Sequence, residues 1–98
     1  MKNIIANINK AFENRVRLGI MSILAVNDSI GFNSLKEMLE VTDGNLASHI
    51  TALEKNQYIQ VHKKFIGKKP NTTYSITRKG QQAFTEHLNA LERIIKNN

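Results

Sequence analysis

A mainly α, α+β fold is what this 98-residue chain predicts: five helices, with a two-stranded hairpin between the fourth and the fifth. Three observations lead there. Apolar residues recur at spacings of three and four along separate stretches, which places them on one side of a helix. The period falls to two from Tyr58 onward, with Tyr58, Gln60, His62 and Lys64 on one face and Ile59, Val61, Lys63 and Phe65 on the other, as a half-buried strand requires. The turn residues of Ile66-Gly67-Lys68-Lys69-Pro70-Asn71 then lead into Thr72-Thr73-Tyr74-Ser75-Ile76, whose β-branched and aromatic side chains suit a returning strand.

Residues 3–11 carry Ile4, Ile5 and Ile8 at helical spacing, continued by Phe12, and predict a short amphipathic helix. A second helix is expected over 14–26, with Val16, Ile20, Ile23 and Leu24 inward and Leu18, Met21 and Ala25 widening the stripe. Asn27-Asp28-Ser29 stops it, and Ile30-Gly31-Phe32 is long enough only for a single-bridge strand. Asn33 or Ser34 is expected to cap a third helix, because Ser34 and Glu37 have capping-box spacing, and Leu35, Met38 and Leu39 should face the core. That helix ends near Glu40. Thr42 caps a fourth, whose Leu46, Ile50 and Leu53 form the buried stripe. Thr77 caps the last helix, 78–96, with Phe84, Leu88, Leu91 and Ile95 along one side and a length of about 28 Å.

Composition narrows function. Hydrophobic residues at 41% and charged residues at 22% are ordinary for a folded domain, and the absence of linkers and repeats makes residues 1–98 one expected domain. Cysteine is absent, which excludes disulfides, thiolate metal sites and cysteine nucleophiles. His49, His62 and His87 fall in separate elements, so no metal and no cofactor is expected. No paired-carboxylate, nucleophile–base, phosphate-loop or HExxH pattern is present, and an enzyme is not expected. The chain has no apolar run of membrane-spanning length and no secretory leader, so the expectation is a cytoplasmic protein without a membrane partner. The net charge of +6 is concentrated: between Glu54 and Glu86 there is no acidic residue, while Lys55, Lys63, Lys64, Lys68, Lys69, Arg78 and Lys79 all occur there. Such a one-signed segment attracts polyanions, although lysines also keep surfaces and strand edges soluble.

Two short helices joined by a tight turn make a helix-turn-helix, and the hairpin beside them makes a wing. The fourth helix is then the reading helix. Asn45, Ser48, His49 and Ala52 stand at i, i+3, i+4 and i+7, opposite the apolar stripe, and are short enough to enter a major groove about 12 Å wide while offering donors and acceptors. Gly44 permits close backbone approach, and the free N–H groups from Thr42 onward favour a phosphate. Asp43 is assigned to the helix start, not to contact. Lys63, Lys64, Lys68, Lys69 and Arg78 are the expected phosphate ligands. Arg15 and Arg17 are left without a role. A solvated polar helix face is the plain reading of the same residues in isolation; the adjoining turn and basic hairpin favour double-stranded DNA.

The segment FNSLKEMLEVTDGNLASHITALEKNQYIQVHKKFIGKKPNTTYSITRKG resembles the winged helix-turn-helix of bacterial and archaeal MarR/ArsR-type regulators, in particular a small group with TDGNLxxHxxxLE and TTYxxTxKG. The likeness covers roughly residues 15–91. It implies a homodimeric transcriptional regulator with Asn45, Ser48 and His49 on the recognition helix, Lys68 and Lys69 on the wing, and terminal helices forming the dimer. Two departures stand out. Where that family has glycine after the recognition helix this chain has Asn56-Gln57, and Asn56 is expected to take the left-handed conformation. The wing has lysine where arginine is common, which favours phosphate contact over minor-groove reading.

For the dimer, Ile4, Ile5, Ile8 and Phe12 at one end and Phe84, Leu88, Leu91, Ile94 and Ile95 at the other are the expected interface, because exposing them would be costly. The alternative is a winged-helix module that binds protein and no DNA. The operator, the regulated genes, the direction of regulation and any small-molecule effector are not encoded in a readable way.

Overall fold

In the computed structural model, residues 3–96 are described. A single 3-10 turn, Lys10–Phe12, precedes α1 (Arg15–Ala25), β1 (Ile30–Gly31), α2 (Phe32–Leu39), α3 (Asp43–Lys55), β2 (Ile59–Ile66), β3 (Lys69–Ile76) and α4 (Arg78–Lys96). Four helices and a three-stranded antiparallel sheet in the order β1-β3-β2 make the winged helix fold. Ile20, Met21, Leu24, Leu35, Leu46 and Leu53 are fully buried where α1, α2 and α3 meet, and Ile59 and Tyr74 carry that core onto the sheet.

The helix expected over residues 3–11 does not form. Isolated turns close it, Ala6 N–H to Asn3 O and Ile8 N–H to Ile5 O, followed by the 3-10 turn. Asn3, Asn7 and Asn9 are poor interior helix residues, because their side chains compete for backbone groups. Asn9 does so here: its Oδ1 accepts from the Ala11 N–H at 2.9 Å, and its own N–H is given to His87 Nδ1 at 3.1 Å. Tertiary partners thus replace the helical ladder.

α1 starts on Asn14, whose Oδ1 accepts from the N–H groups of Val16 and Arg17. The expected cap of α2 is corrected: Gly31 occupies the cap position with no side-chain hydrogen bond, and Asn33 and Ser34 lie inside the first turn. Pairing of Gly31 with Thr73 holds the chain extended up to that residue, so the helix begins at once with Phe32. Met38, expected inward, is 57% exposed, because α2 turns Leu35 fully and Phe32 and Leu39 partly to the core.

α3 begins as expected, with Thr42 Oγ1 accepting from Asn45 N–H at 3.1 Å. At its other end the left-handed residue is Gln57, φ 62°, while Asn56 stays right-handed at φ −79°. An L-residue in that region costs roughly 1–2 kcal/mol. Gln57→Gly is therefore expected to raise stability by about 1 kcal/mol, read as a higher urea midpoint with unchanged slope.

The hairpin is longer and tighter than the sequence pattern implied. Its register, from Ile59 opposite Ile76 to Ile66 opposite Lys69, leaves only Gly67 and Lys68 in the turn, with Gly67 at φ 65°. A two-residue turn with glycine first matches strand twist. Lys69 and Pro70 belong to β3, not to a loop. Pro70 is tolerated because β1 pairs only with Thr73 and Tyr74 and leaves β3 an edge at that point.

α4 is capped by Thr77, whose Oγ1 accepts from Gly80 N–H at 2.9 Å and donates to Gln57 O at 2.7 Å. Its buried positions are Gly80, Phe84, His87 and Ala90, so the stripe read from sequence is rotated: Leu88 and Ile95 are 46% and 76% exposed.

Candidate nucleic-acid interface

α3 is held by its inward side chains Leu46, Ile50 and Leu53, which are 0–3% exposed, and by the tight turn from α2. Lys36 Nζ reaches Asp43 Oδ1 at 2.8 Å across that turn, but both ends are exposed and such a pair contributes less than about 1 kcal/mol. It uses Asp43 at the helix start, while the side-chain cap is Thr42.

Thr42, Gly44, Asn45 and Ser48 are exposed on this helix; His49 and Ala52 are half-buried. The open wall of α3 also includes Ala47 and Thr51, which the sequence reading left out. Thr51 follows Gly44 by seven and Ser48 by three, a helical spacing that could have identified it. The outward face is thus turned from the expected one toward the hairpin. A Cβ on Gly44 would meet no atom within 4 Å, so the helix there borders open space.

His49 leans toward α1. Its Nδ1 lies 3.1 Å from an Nη of Arg17, whose Nε donates to Ala11 O at 2.6 Å. Burial, and then the Arg17 charge, hold the His49 pKa below its ordinary value. Arg17 had no role assigned from sequence, and no local signal links residues 32 positions apart.

The basic residues of the hairpin do not form one patch. Register puts Lys63 on the face of Ile59 and Val61, beside a cleft lined by Ala47, Thr51, Glu54 and Tyr74, whereas Lys64 and Lys69 point to the opposite face. Lys68 projects from the turn, and Arg78 begins α4; all five are exposed. Burial, with Glu54 nearby, raises the Tyr74 pKa, so that hydroxyl stays protonated.

Of the expected dimer residues, Phe12 and Phe84 are consumed by the protomer's own core, at 2% and 5% exposure, with ring centroids 5.6 Å apart. Ile4, Ile5, Leu88 and Ile95 are exposed, and Ile8, Leu91 and Ile94 half-buried. Beside Phe12 lies His87, 3% exposed, its Nδ1 accepting from Asn9 N–H. Burial lowers the His87 pKa, and Glu13 opposes that shift.

Because folded His49 and His87 both take up protons less readily than in the unfolded chain, the unfolded state binds more protons near pH 6.5, and stability rises with pH there. That stability is present above pH 6.5 and lost as pH falls through the lowered values. The urea midpoint should be lower at about pH 5.5 than at about pH 7.5, and His87→Gln, which keeps an acceptor for Asn9, should reduce the difference.

An outward helix of short polar side chains, a tight turn before it and a basic hairpin beside it define the class: the chain belongs to the winged helix DNA-binding domain family, whose family model matches residues 16–95. It is 35% identical over 88 residues to an uncharacterized protein of Methanocaldococcus jannaschii, covering 90% of this chain and 96% of that one. Among solved structures it is similar to a transcriptional regulator homologue from Pyrococcus horikoshii OT3, with 33% identity, a TM-score of 0.84, and 96% and 91% of the two chains covered. Bacillus subtilis PadR in complex with operator DNA shares the fold at 13% identity and a TM-score of 0.67, with 76% and 47% covered. The resemblance to winged-helix regulators is met in family and fold, which are those of transcriptional regulators and not of enzymes. Among the described residues no helix is long and apolar enough to cross a membrane, and no group of three His, Asp or Glu side chains could hold a metal.

Proposed function

We propose that the chain is a sequence-specific regulator of transcription that binds double-stranded DNA as a homodimer, with residues 1–98 as one DNA-binding domain working in the cytoplasm. The exposed wall of α3 carries this reading. It presents Thr42, Gly44, Asn45, Ser48 and Thr51, all short, on a rod whose other side is anchored in the core. An α-helix so decorated fits the major groove. His49 and Ala52 border that wall, and Lys63, Lys64, Lys68, Lys69 and Arg78 supply phosphate contacts on either side of the hairpin. The PadR complex supports the reading, since that protein holds operator DNA with the same fold.

Ile4, Ile5, Leu88 and Ile95, exposed near the chain ends, support a two-fold dimer that would space two α3 helices about 34 Å apart on successive grooves. Sedimentation at tens of micromolar tests it; a monomer removes the dimer.

Binding to random and selected duplexes across a salt series tests the function. Affinity should fall steeply with salt, by about 0.9 log units per log unit for each phosphate neutralised, and Lys68→Ala with Lys69→Ala should flatten the slope by about two such contacts. Gly44→Leu should weaken duplex binding about tenfold or more without lowering stability, because its side chain has room in the free protein but not against a base pair. A protein-interaction module would bind no duplex even at low salt.

A further inference from the structure

Arg17 of α1 contacts His49 of α3. An arginine guanidinium has only donors and does not lose its proton. His49 Nδ1, 3.1 Å from Arg17 Nη1, can hold that bond only as an acceptor, so the imidazole is neutral with its proton on Nε2. The arginine is itself fixed: its Nε donates to Ala11 O at 2.6 Å, and its backbone N–H is held by the Asn14 cap at 3.1 Å. Two anchors therefore define the donor that reaches His49. The ring is half-buried on α3, one turn after exposed Asn45, on the α1 side of the open wall.

Resting on the DNA-binding reading above, the geometry points to His49 as a donor-only reader of guanine, its Nε2–H directed to the N7/O6 edge, with Arg17 as the positioning residue that fixes the tautomer. In the major groove guanine alone offers two neighbouring acceptors; adenine pairs its N7 with an amino donor, and thymine sets a methyl beside O4. A single donor with no acceptor character finds an acceptor at either atom of the guanine edge, whereas adenine and thymine offer it one acceptor beside an amino donor or a methyl. The burial that lowers the pKa of His49 keeps the ring in this neutral form at neutral pH.

Three measurements test it. In the free protein, long-range 1H–15N correlation should place the His49 proton on Nε2, and Arg17→Ala should move the ring toward a mixture of tautomers. On the duplex selected from random sequence, 7-deazaguanine at one recognised guanine should weaken wild-type binding roughly 3- to 10-fold, the range of one hydrogen bond, and should have no further effect on His49→Ala. Arg17→Lys keeps the charge but loses the two-point hold, so it should leave random-duplex affinity unchanged while its preference for that guanine falls toward that of His49→Ala. A proton on Nδ1, a wild-type preference in Arg17→Lys, or duplex binding indifferent to 7-deazaguanine at every selected guanine overturns the inference alone. Failure of the wild type to bind any duplex overturns the DNA-binding reading and this inference together.

Discussion

Phe12→Ala is expected to destabilise the protein by about 3–5 kcal/mol. That is a large share of the roughly 5–15 kcal/mol available to a domain of this size. Phe12 is 2% exposed, and its ring sits between three others: Tyr58 at 5.3 Å, Phe84 edge-on at 5.6 Å and His87 edge-on at 5.2 Å. These rings come from the hairpin base and α4, so one side chain from a short 3-10 turn joins elements distant in sequence. Truncation leaves a cavity that Asn9, hydrogen-bonded to both His87 Nδ1 and Tyr58 Oη, prevents from collapsing. Thermal unfolding should begin at least about 12 °C lower. Phe12→Leu should recover most of the loss. A fall below about 1 kcal/mol for the alanine variant would mean that the N-terminal segment is not docked as described.

Gly80→Ala is expected to cost about 3 kcal/mol, against an intrinsic gain in helix propensity of roughly 1 kcal/mol. A Cβ at this position would lie 2.1 Å from Tyr58 O and 2.8 Å from Tyr58 C, backbone atoms that cannot swing aside. The same carbonyl accepts from Thr77 N–H at 3.0 Å, and Thr77 in turn closes onto Gln57 O. The first turn of α4 and the base of the hairpin therefore approach backbone to backbone, and any side chain pushes them apart. Chemical denaturation reads the cost directly. Displacement of the hairpin should also weaken duplex binding at temperatures where the variant remains folded. Gly44→Ala is the control: it makes the same chemical change on a helix where the Cβ meets open space, and it should not destabilise.

These two glycines indicate how far sequence reading reaches. That Gly44 faces open space was legible because its position depends only on the helix that contains it. Gly80 stands at an ordinary helix start, and nothing within several residues announces the Tyr58 carbonyl over it. The same division runs through the candidate site. Asn45 and Ser48 emerged as exposed, as their spacing from Leu46, Ile50 and Leu53 required. Thr51 was missed because the stripe was drawn narrowly. The hold of Arg17 on His49 had no local trace.

By itself the sequence determined the four long helices, the hairpin and the threonine caps at Thr42 and Thr77, because periodicity, turn chemistry and capping act over a few residues and need no distant partner. It misplaced the N-terminal helix, the start of α2, the left-handed residue after α3 and the inward side of α4. Tertiary contacts decided the N-terminal segment, the start of α2 and the inward side of α4. Asn9 surrendered its helix for His87, strand pairing at Gly31 left no room for a side-chain cap, and α4 turned its glycine to the Tyr58 carbonyl. Local preferences amount to a few tenths of a kcal/mol to about 1 kcal/mol per residue, and buried long-range contacts exceed them wherever the two disagree.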